Sequence, residues 1–348
     1  MTIYLAIVLF SFAFHFIFFV PFINFLYKLK FQRQDQVTRD AFDKPTPIFD
    51  RFNKHKKGTP VGGGILVFIL TLFLYLVFFW FFLSVYSARG RFIANYPDYL
   101  AEVKIILITF SLFFFLGLYD DLNKIFFWRK KQFFGLRLRH KLFLEIIFAF
   151  IPSFLLYHDL KIGIVHIPFF KVLNLGWFFV PIAMFIIVAF ANAVNITDGL
   201  DGLSTGSLMI SLAAFWAISR SIFDVPTLLF IAVWMGGLLA FLYFNIYPAR
   251  IFLGDSGALS FGATFAVIGL ILGKAFAMPI ISGVIVLEVL TSFLQLLSKR
   301  FLKRKLFPVA PLHLYLQYRG WPEPKVTMRL WLVSILFAIL GLSIAFLR

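Results

Sequence analysis

Ten runs of about 20 mostly apolar residues, each long enough to cross a bilayer as a helix, take up most of this chain. They lie at 3–27, 62–86, 103–119, 142–158, 174–194, 203–219, 226–244, 258–275, 279–297 and 330–347. Of all residues, 61% are hydrophobic and only 14% are charged. With a mean hydropathy of +0.92, that composition excludes an ordinary soluble domain. In hydrocarbon every backbone N–H and C=O must find its partner inside the segment, which a helix achieves. The expected fold is an all-α polytopic membrane protein of about ten transmembrane helices, forming a single domain over 1–348.

Charge sets the orientation. The stretches 28–61, 120–141, 245–257 and 298–329 hold 25 of the 33 Lys and Arg residues. Cytoplasmic loops collect basic residues, so these stretches and 195–202 are assigned to the cytoplasm, with both termini extracytoplasmic. The first run has no charge ahead of it, precedes Lys28, Lys30 and Arg33, and lacks a small-residue cleavage site, so it reads as a retained helix. The formal charge of +17 then reflects topology, and no nucleic-acid partner is expected. With no cysteine in the chain, thiolate nucleophiles and Cys-ligated metals are excluded, and the chemistry must use oxygen and nitrogen groups. No repeat of fixed period is present, which argues against a solenoid or a duplicated transporter. On the outer side, alternation from Ile162 to Phe169, followed by Asn174 and Gly176, predicts a short external β-hairpin near 162–176.

Five carboxylates break the apolar pattern. Asp120, Asp121, Asp198, Asp201 and Asp255 all fall at span ends, and the loop order places them on the cytoplasmic side. A carboxylate at the centre of a spanning helix costs roughly 2.5–3.5 kcal/mol, so acidic groups gathered at one face call for a counter-ion or a chemical role. A divalent metal is the natural counter-ion. Asp120 and Asp121 are helix neighbours whose side chains point about 100° apart, which suits separate roles better than a joint clamp on one ion. The same pair would also mark the water boundary of a helix. Lys124 sits at i, i+4 from Asp120 and can pair with it.

Two glycine-rich turns follow. Asn195, Asp198 and Asp201 lie on the turn between the fifth and sixth runs, where Gly199 and Gly202 give permissive backbone and Thr197 can cap a helix. Such a turn can hydrogen-bond a base, a ribose or a phosphate, or serve only as a cap. The stretch from Asn245 to Gly257 brings Pro248, Phe252, Gly254 and Asp255 to the mouth of a span, so backbone can approach a ligand beside a metal-binding oxygen. Phe252 can stack on a base, although one phenylalanine among 51 is more often packing or lipid-facing. Lys56 and Lys57 precede Gly58 and suit phosphate or an anionic lipid headgroup.

Taken in order, KKGTPVGGG, GLYDDLNK, GLRLRHKL, NAVNITDGLDGL, FNIYPARIFLGDSG and APLHLYLQYRGWPEPKVTMRLW resemble the phospho-N-acetylmuramoyl-pentapeptide-transferase family of the polyprenyl-phosphate N-acetylhexosamine-1-phosphate transferase superfamily. The resemblance runs from about residue 50 to the carboxyl terminus. It implies a multi-pass protein of the bacterial inner membrane with a cytoplasmic active site. The implied reaction takes phospho-N-acetylmuramoyl-pentapeptide from UDP-MurNAc-pentapeptide to undecaprenyl phosphate in peptidoglycan synthesis. Mg²⁺ is the implied cofactor, with Asp255 and Asp121 as its ligands. Asp120, Asp121 and Asp255 match the family's essential aspartates, and Lys124 and Lys141 match lysines of the active site. Lys56, Asp198, Asn245 and Phe252 match positions at the uridine end, with Lys57 an alternative to Lys56. A homodimer is compatible with the resemblance.

Charge arithmetic agrees with such a reaction. Both phosphate partners are anionic, so attack of one on the other needs a site that cancels repulsion and stabilises the departing nucleotide, which metal-bearing carboxylates and lysines do. Direct attack with Asp120 taking a residual proton, and a double displacement through a phosphorylated aspartate, both fit. The chain departs from the family where three consecutive histidines are usual: it reads His313-Leu314-Tyr315, and Gln317 stands in place of a glutamate. Only His313 of that motif remains as a catalytic candidate. A UDP-N-acetylhexosamine phosphotransferase for another polymer is the nearest alternative. A transporter or flippase is the alternative of a different class, but transporters place ionisable groups near the bilayer midplane rather than at span ends.

Overall fold

The computed structural model describes residues 2–33, 45–87, 94–127, 138–168 and 172–347. Its long helices are α1 (Thr2–Lys28), α3 (Gly63–Phe82), α4 (Tyr99–Leu122), α5 (Leu138–His158), α6 (Phe179–Thr197), α7 (Leu203–Ser221), α8 (Val225–Asn245), α9 (Gly254–Ile271), α11 (Gly283–Leu297) and α13 (Glu323–Phe346). Short helices α2 (Pro47–Asn53), α10 (Ala277–Ile281) and α12 (Leu312–Tyr318) complete them. The predicted hairpin is present as β1 (Ile164–His166) and β2 (Val172–Asn174), antiparallel with Ile164 opposite Asn174.

Eight of the described helices are long and apolar enough to cross a membrane, and the chain is an all-α, multi-pass membrane protein. Two of the ten expected spans differ, each for a local reason. Helix α7 carries Ser204, Ser207, Ser211 and Ser219, all buried, which lowers its hydropathy. Those hydroxyls find partners inside the protein: Ser211 donates to the Ser207 carbonyl, and Ser334 of α13 to the Ser207 hydroxyl. The run 279–297 is broken at Ser282 into α10 and α11, so neither piece reaches spanning length alone.

Helix α9 forms the centre, buried along nearly its whole length between α3, α4 and α6. Helix α8 packs on α1 and α3, and α13 on α7 and α10. Outside, Leu9, Phe10 and Ile17 of α1, Phe143 of α5 and Leu332, Leu336 and Ile339 of α13 remain exposed, the apolar belt that lipid requires. The two termini lie at the same end of the bundle: Tyr4 packs against Phe82 at the end of α3, and Lys274 after α9 donates to the Ala345 carbonyl. The acidic motifs gather at the opposite end.

The contact of α4 with α9 sets the geometry of that end. At Gly117 a Cβ would fall 2.2 Å from the Asp255 carbonyl oxygen and 2.6 Å from Ser256 Cα, so the two backbones touch where any side chain would separate them. Gly117→Ala is expected to destabilise the folded protein by about 1–3 kcal/mol through overpacking. The check is thermal melting in detergent, and an unchanged midpoint would show that the helices can part freely.

Candidate active site

Helix α4 ends and α9 begins at the same place, and their junction is made by Asp121. Its two carboxylate oxygens accept from the Asp255 amide at 3.0 Å and the Ser256 amide at 2.9 Å. Those are orphan donors of the first turn of α9, so Asp121 caps a helix from a different part of the chain. Gly254, just before them, has φ +84° and a would-be Cβ 2.8 Å from Asp121 Oδ2, so only glycine fits between cap and helix. The cap starts α9 at Gly254, four residues before the expected 258, and makes Asp255 a first-turn helical residue rather than a loop residue.

Asp120, one position earlier, points elsewhere, as neighbours on a helix must. Lys124 lies 3.3 Å from Asp120 Oδ2 and 2.8 Å from Asp255 Oδ1. Lys141 on α5 lies 3.1 Å from the same Asp120 oxygen and also pairs with Asp255 Oδ2. Two carboxylates from two helices therefore share two ammonium groups. Asp121, expected beside Asp255 as a metal ligand, instead has both oxygens on backbone amides. Behind Lys141, Asn192 on α6 donates to Glu145 on α5, whose other oxygen has no hydrogen-bond partner among the described residues.

A cleft of about 200 Å³ opens beside this cluster, lined by Lys124 and Asp255 and, on its far wall, by Phe252, Asn195 and Asp198. The side chains of Asn195 and Asp198 make no hydrogen bond within the described chain and face the space. Burial pushes the Asp198 carboxyl well above its ordinary range, with Lys56 and Arg33 pulling the other way. Phe252 is fixed by its backbone: its amide donates to the Pro60 carbonyl at 2.9 Å, and its carbonyl accepts from Gly62 and Gly63 at 3.0 and 2.8 Å.

Three expected binding residues prove deeply engaged in the fold. Lys56 Nζ donates to Glu323 Oε1 at 2.6 Å and to the Gly199 carbonyl at 3.1 Å, and forms an ion pair with Asp201 Oδ1 at 2.9 Å. Asp201 Oδ2 accepts from the Ala249 amide at 2.9 Å. The Asn245 side chain accepts from the Gly202 amide at 3.1 Å and donates to the Ile251 carbonyl at 2.9 Å. These groups tie the 198–202 turn to the 245–255 turn and to α13, so they shape the cleft from beneath.

His313 opens α12 and is buried. Its Nδ1 is 2.9 Å from Glu288 Oε2, and Nε2 has no hydrogen-bond partner among the described residues. It lines a second, larger groove of about 980 Å³ that meets the cleft at Phe49, Asn195, Asp198 and Gly199. Lys299, Lys303, Arg304 and Lys305 line the same groove. Arg33, Glu288 and Glu323 were missed by sequence reasoning. For Glu323 the one available signal was its place after Pro322 at a helix start; its ion pair with Lys56 spans 267 positions.

The profile of Glycosyl transferase family 4 matches residues 103–273. The chain is 34% identical over 339 residues to a phospho-N-acetylmuramoyl-pentapeptide-transferase from Borreliella afzelii (strain PKo), covering 92% of this chain and 89% of that one. To the protein of the same name from Borrelia turicatae (strain 91E135) it is 35% identical, covering 93% and 90%. To that from Pelagibacter ubique (strain HTCC1062) it is 34% identical, covering 84% and 81%.

Proposed function

The chain belongs to the phospho-N-acetylmuramoyl-pentapeptide-transferase family, and from that membership we infer that it moves phospho-N-acetylmuramoyl-pentapeptide from UDP-MurNAc-pentapeptide to undecaprenyl phosphate, giving lipid I and UMP. The observation that carries the reading is the shared pair: Asp120 and Asp255, on different helices, bridged by Lys124 and Lys141 at the mouth of an aromatic cleft. An oxygen of the lipid phosphate attacks the phosphorus next to the sugar, the bond to the uridylate oxygen breaks, and UMP leaves with the electron pair. Lys124 and Lys141 offset the repulsion between the two anions and the charge gathering on UMP. Asp120 accepts the residual proton of the lipid phosphate, and Asp121 holds Asp255 in register through the capped helix. Phe252 and Asp198 receive the uridine.

The donor set suits Mg²⁺. Among the described residues no three His, Asp or Glu side chains form a ready-made cage, but Mg²⁺ needs only one or two carboxylates and completes its shell with water and substrate phosphates. Asp255, with Asp120 beside it, would supply those oxygens, and the bound ion would neutralise phosphate charge. The basic run 298–329 and the other cation-rich stretches support a position for this end of the bundle on the cytoplasmic face of the bacterial inner membrane.

The groove of about 980 Å³ favours the muramoyl-pentapeptide donor over a bare UDP-N-acetylhexosamine, because it adjoins the cleft and its lysines suit peptide carboxylates. The test supplies purified protein with undecaprenyl phosphate, Mg²⁺ and a panel of UDP-sugars, followed by mass spectrometry of the lipid. Lipid I from UDP-MurNAc-pentapeptide alone is the expected product. A lipid-linked N-acetylglucosamine in its place would move the protein to another polymer, and no lipid product from any donor would remove the transferase reading.

A further inference from the structure

Among the cations lining the cleft, Arg33 differs from the rest. Lys56 and Lys124 are each held by carboxylates. Arg33 makes no side-chain hydrogen bond or ion pair to any described residue, although Asp50, Asp198, Asp201 and Glu323 all contribute field at its position. A guanidinium carries five N–H donors in a planar fork, and none of them is taken up by a described residue.

The position of that fork is fixed by backbone. The Arg33 amide donates to the Thr59 carbonyl at 3.0 Å, the Arg33 carbonyl accepts from Gly58 at 2.9 Å, and Gln32 bridges antiparallel to Pro60. Val61 in turn bridges parallel to Phe252. Three segments, 31–33, 58–61 and 252, thus run side by side and bring Arg33 and Phe252 to one wall. The guanidinium carbon lies 5.7 Å from the Phe252 ring centroid.

We propose that Arg33 binds the diphosphate of the UDP-linked donor through a forked, two-pronged contact, a role expected on sequence grounds for Lys56. The inference rests on the donor assignment above. A guanidinium suits this role because two parallel N–H groups match two phosphate oxygens, which a lysine ammonium cannot do in the same plane. Its placement beside Phe252 assigns it to the nucleotide rather than to the lipid phosphate, which must reach Lys124 and Lys141 from the membrane.

The experiment titrates UDP and uridine into the full chain in detergent, for wild type, Arg33→Ala and Arg33→Lys, and measures the KM for undecaprenyl phosphate in each. UDP affinity is expected to fall about tenfold or more in Arg33→Ala, to recover in part in Arg33→Lys, and uridine affinity to stay within about twofold. UDP affinity within about twofold of wild type in both variants would overturn the proposal. So would an equal loss of uridine, or a raised KM for the lipid with UDP binding intact. Should Arg33→Ala fail to fold, the lysine variant decides: no loss of UDP affinity there overturns the forked contact. Wild-type protein with no affinity for UDP would sink the donor assignment itself, whereas wild-type binding with silent Arg33 variants sinks only this inference.

Discussion

Asp255→Asn is expected to lower UMP release by about 10²- to 10³-fold while leaving UDP binding nearly unchanged. The carboxylate meets Lys124 at 2.8 Å through one oxygen and Lys141 through the other. An amide in its place turns an NH₂ group toward one ammonium, donor against donor, and removes the negative charge that a divalent ion needs. The helix itself should survive, because the cap on α9 is received by the backbone amides of residues 255 and 256, which the substitution keeps. Loss of rate with a normal melting curve therefore separates chemistry from folding. Turnover is measured against Mg²⁺ concentration: a rate restored at high Mg²⁺ points to weakened metal affinity, and a rate near wild type throughout would remove Asp255 from the reaction. Asp121→Asn makes the contrasting control, since its oxygens serve the helix start and its loss should appear first in stability.

How far the chain could be read in advance follows from where its information lies. Spans, hairpin and the end of the bundle that holds the aspartates came from local hydropathy and charge, which a single segment carries by itself. The start of α9 did not, because its cap is Asp121, 134 positions away. The break at Ser282 was hidden inside an unbroken apolar run. Asp120, Lys124 and Asp255 were visible as charges at span ends. Arg33 and Glu323 were not, since a charged residue in or at the edge of a basic loop looks like topology until the fold shows what it faces, and Glu288 was hidden inside an apolar run, its partner His313 lying 25 positions away. The division of labour between Asp120 and Asp121 was legible in outline from helix geometry, but which of the two meets Asp255 depends on the rotation of α4 against α9.

Lys56 gives the sharpest test of that limit, because sequence and structure lead to opposite results. If it served chiefly to bind phosphate, Lys56→Ala would fold normally and lose nucleotide affinity. The structure leads to a different expectation. Its side chain and that of Asp201 are only 3% and 4% exposed, and Glu323 lies on the same ammonium. Removing the lysine takes the shared ammonium from two buried carboxylates, and breaking a buried pair costs about 3–5 kcal/mol. Glu323 Oε1 also accepts from the Asp201 amide at 2.7 Å, so the loss spreads to the 198–202 turn and hence to the wall of the cleft. The expected result is a large fall in melting temperature in detergent, with poor recovery of folded protein. Neutralising the partners as well, in Lys56→Met with Asp201→Asn and Glu323→Gln, should recover much of that stability, since no unpaired charge then remains buried. A stable Lys56→Ala with intact melting behaviour and weakened UDP binding would return Lys56 to the phosphate and take the triad out of the folding account.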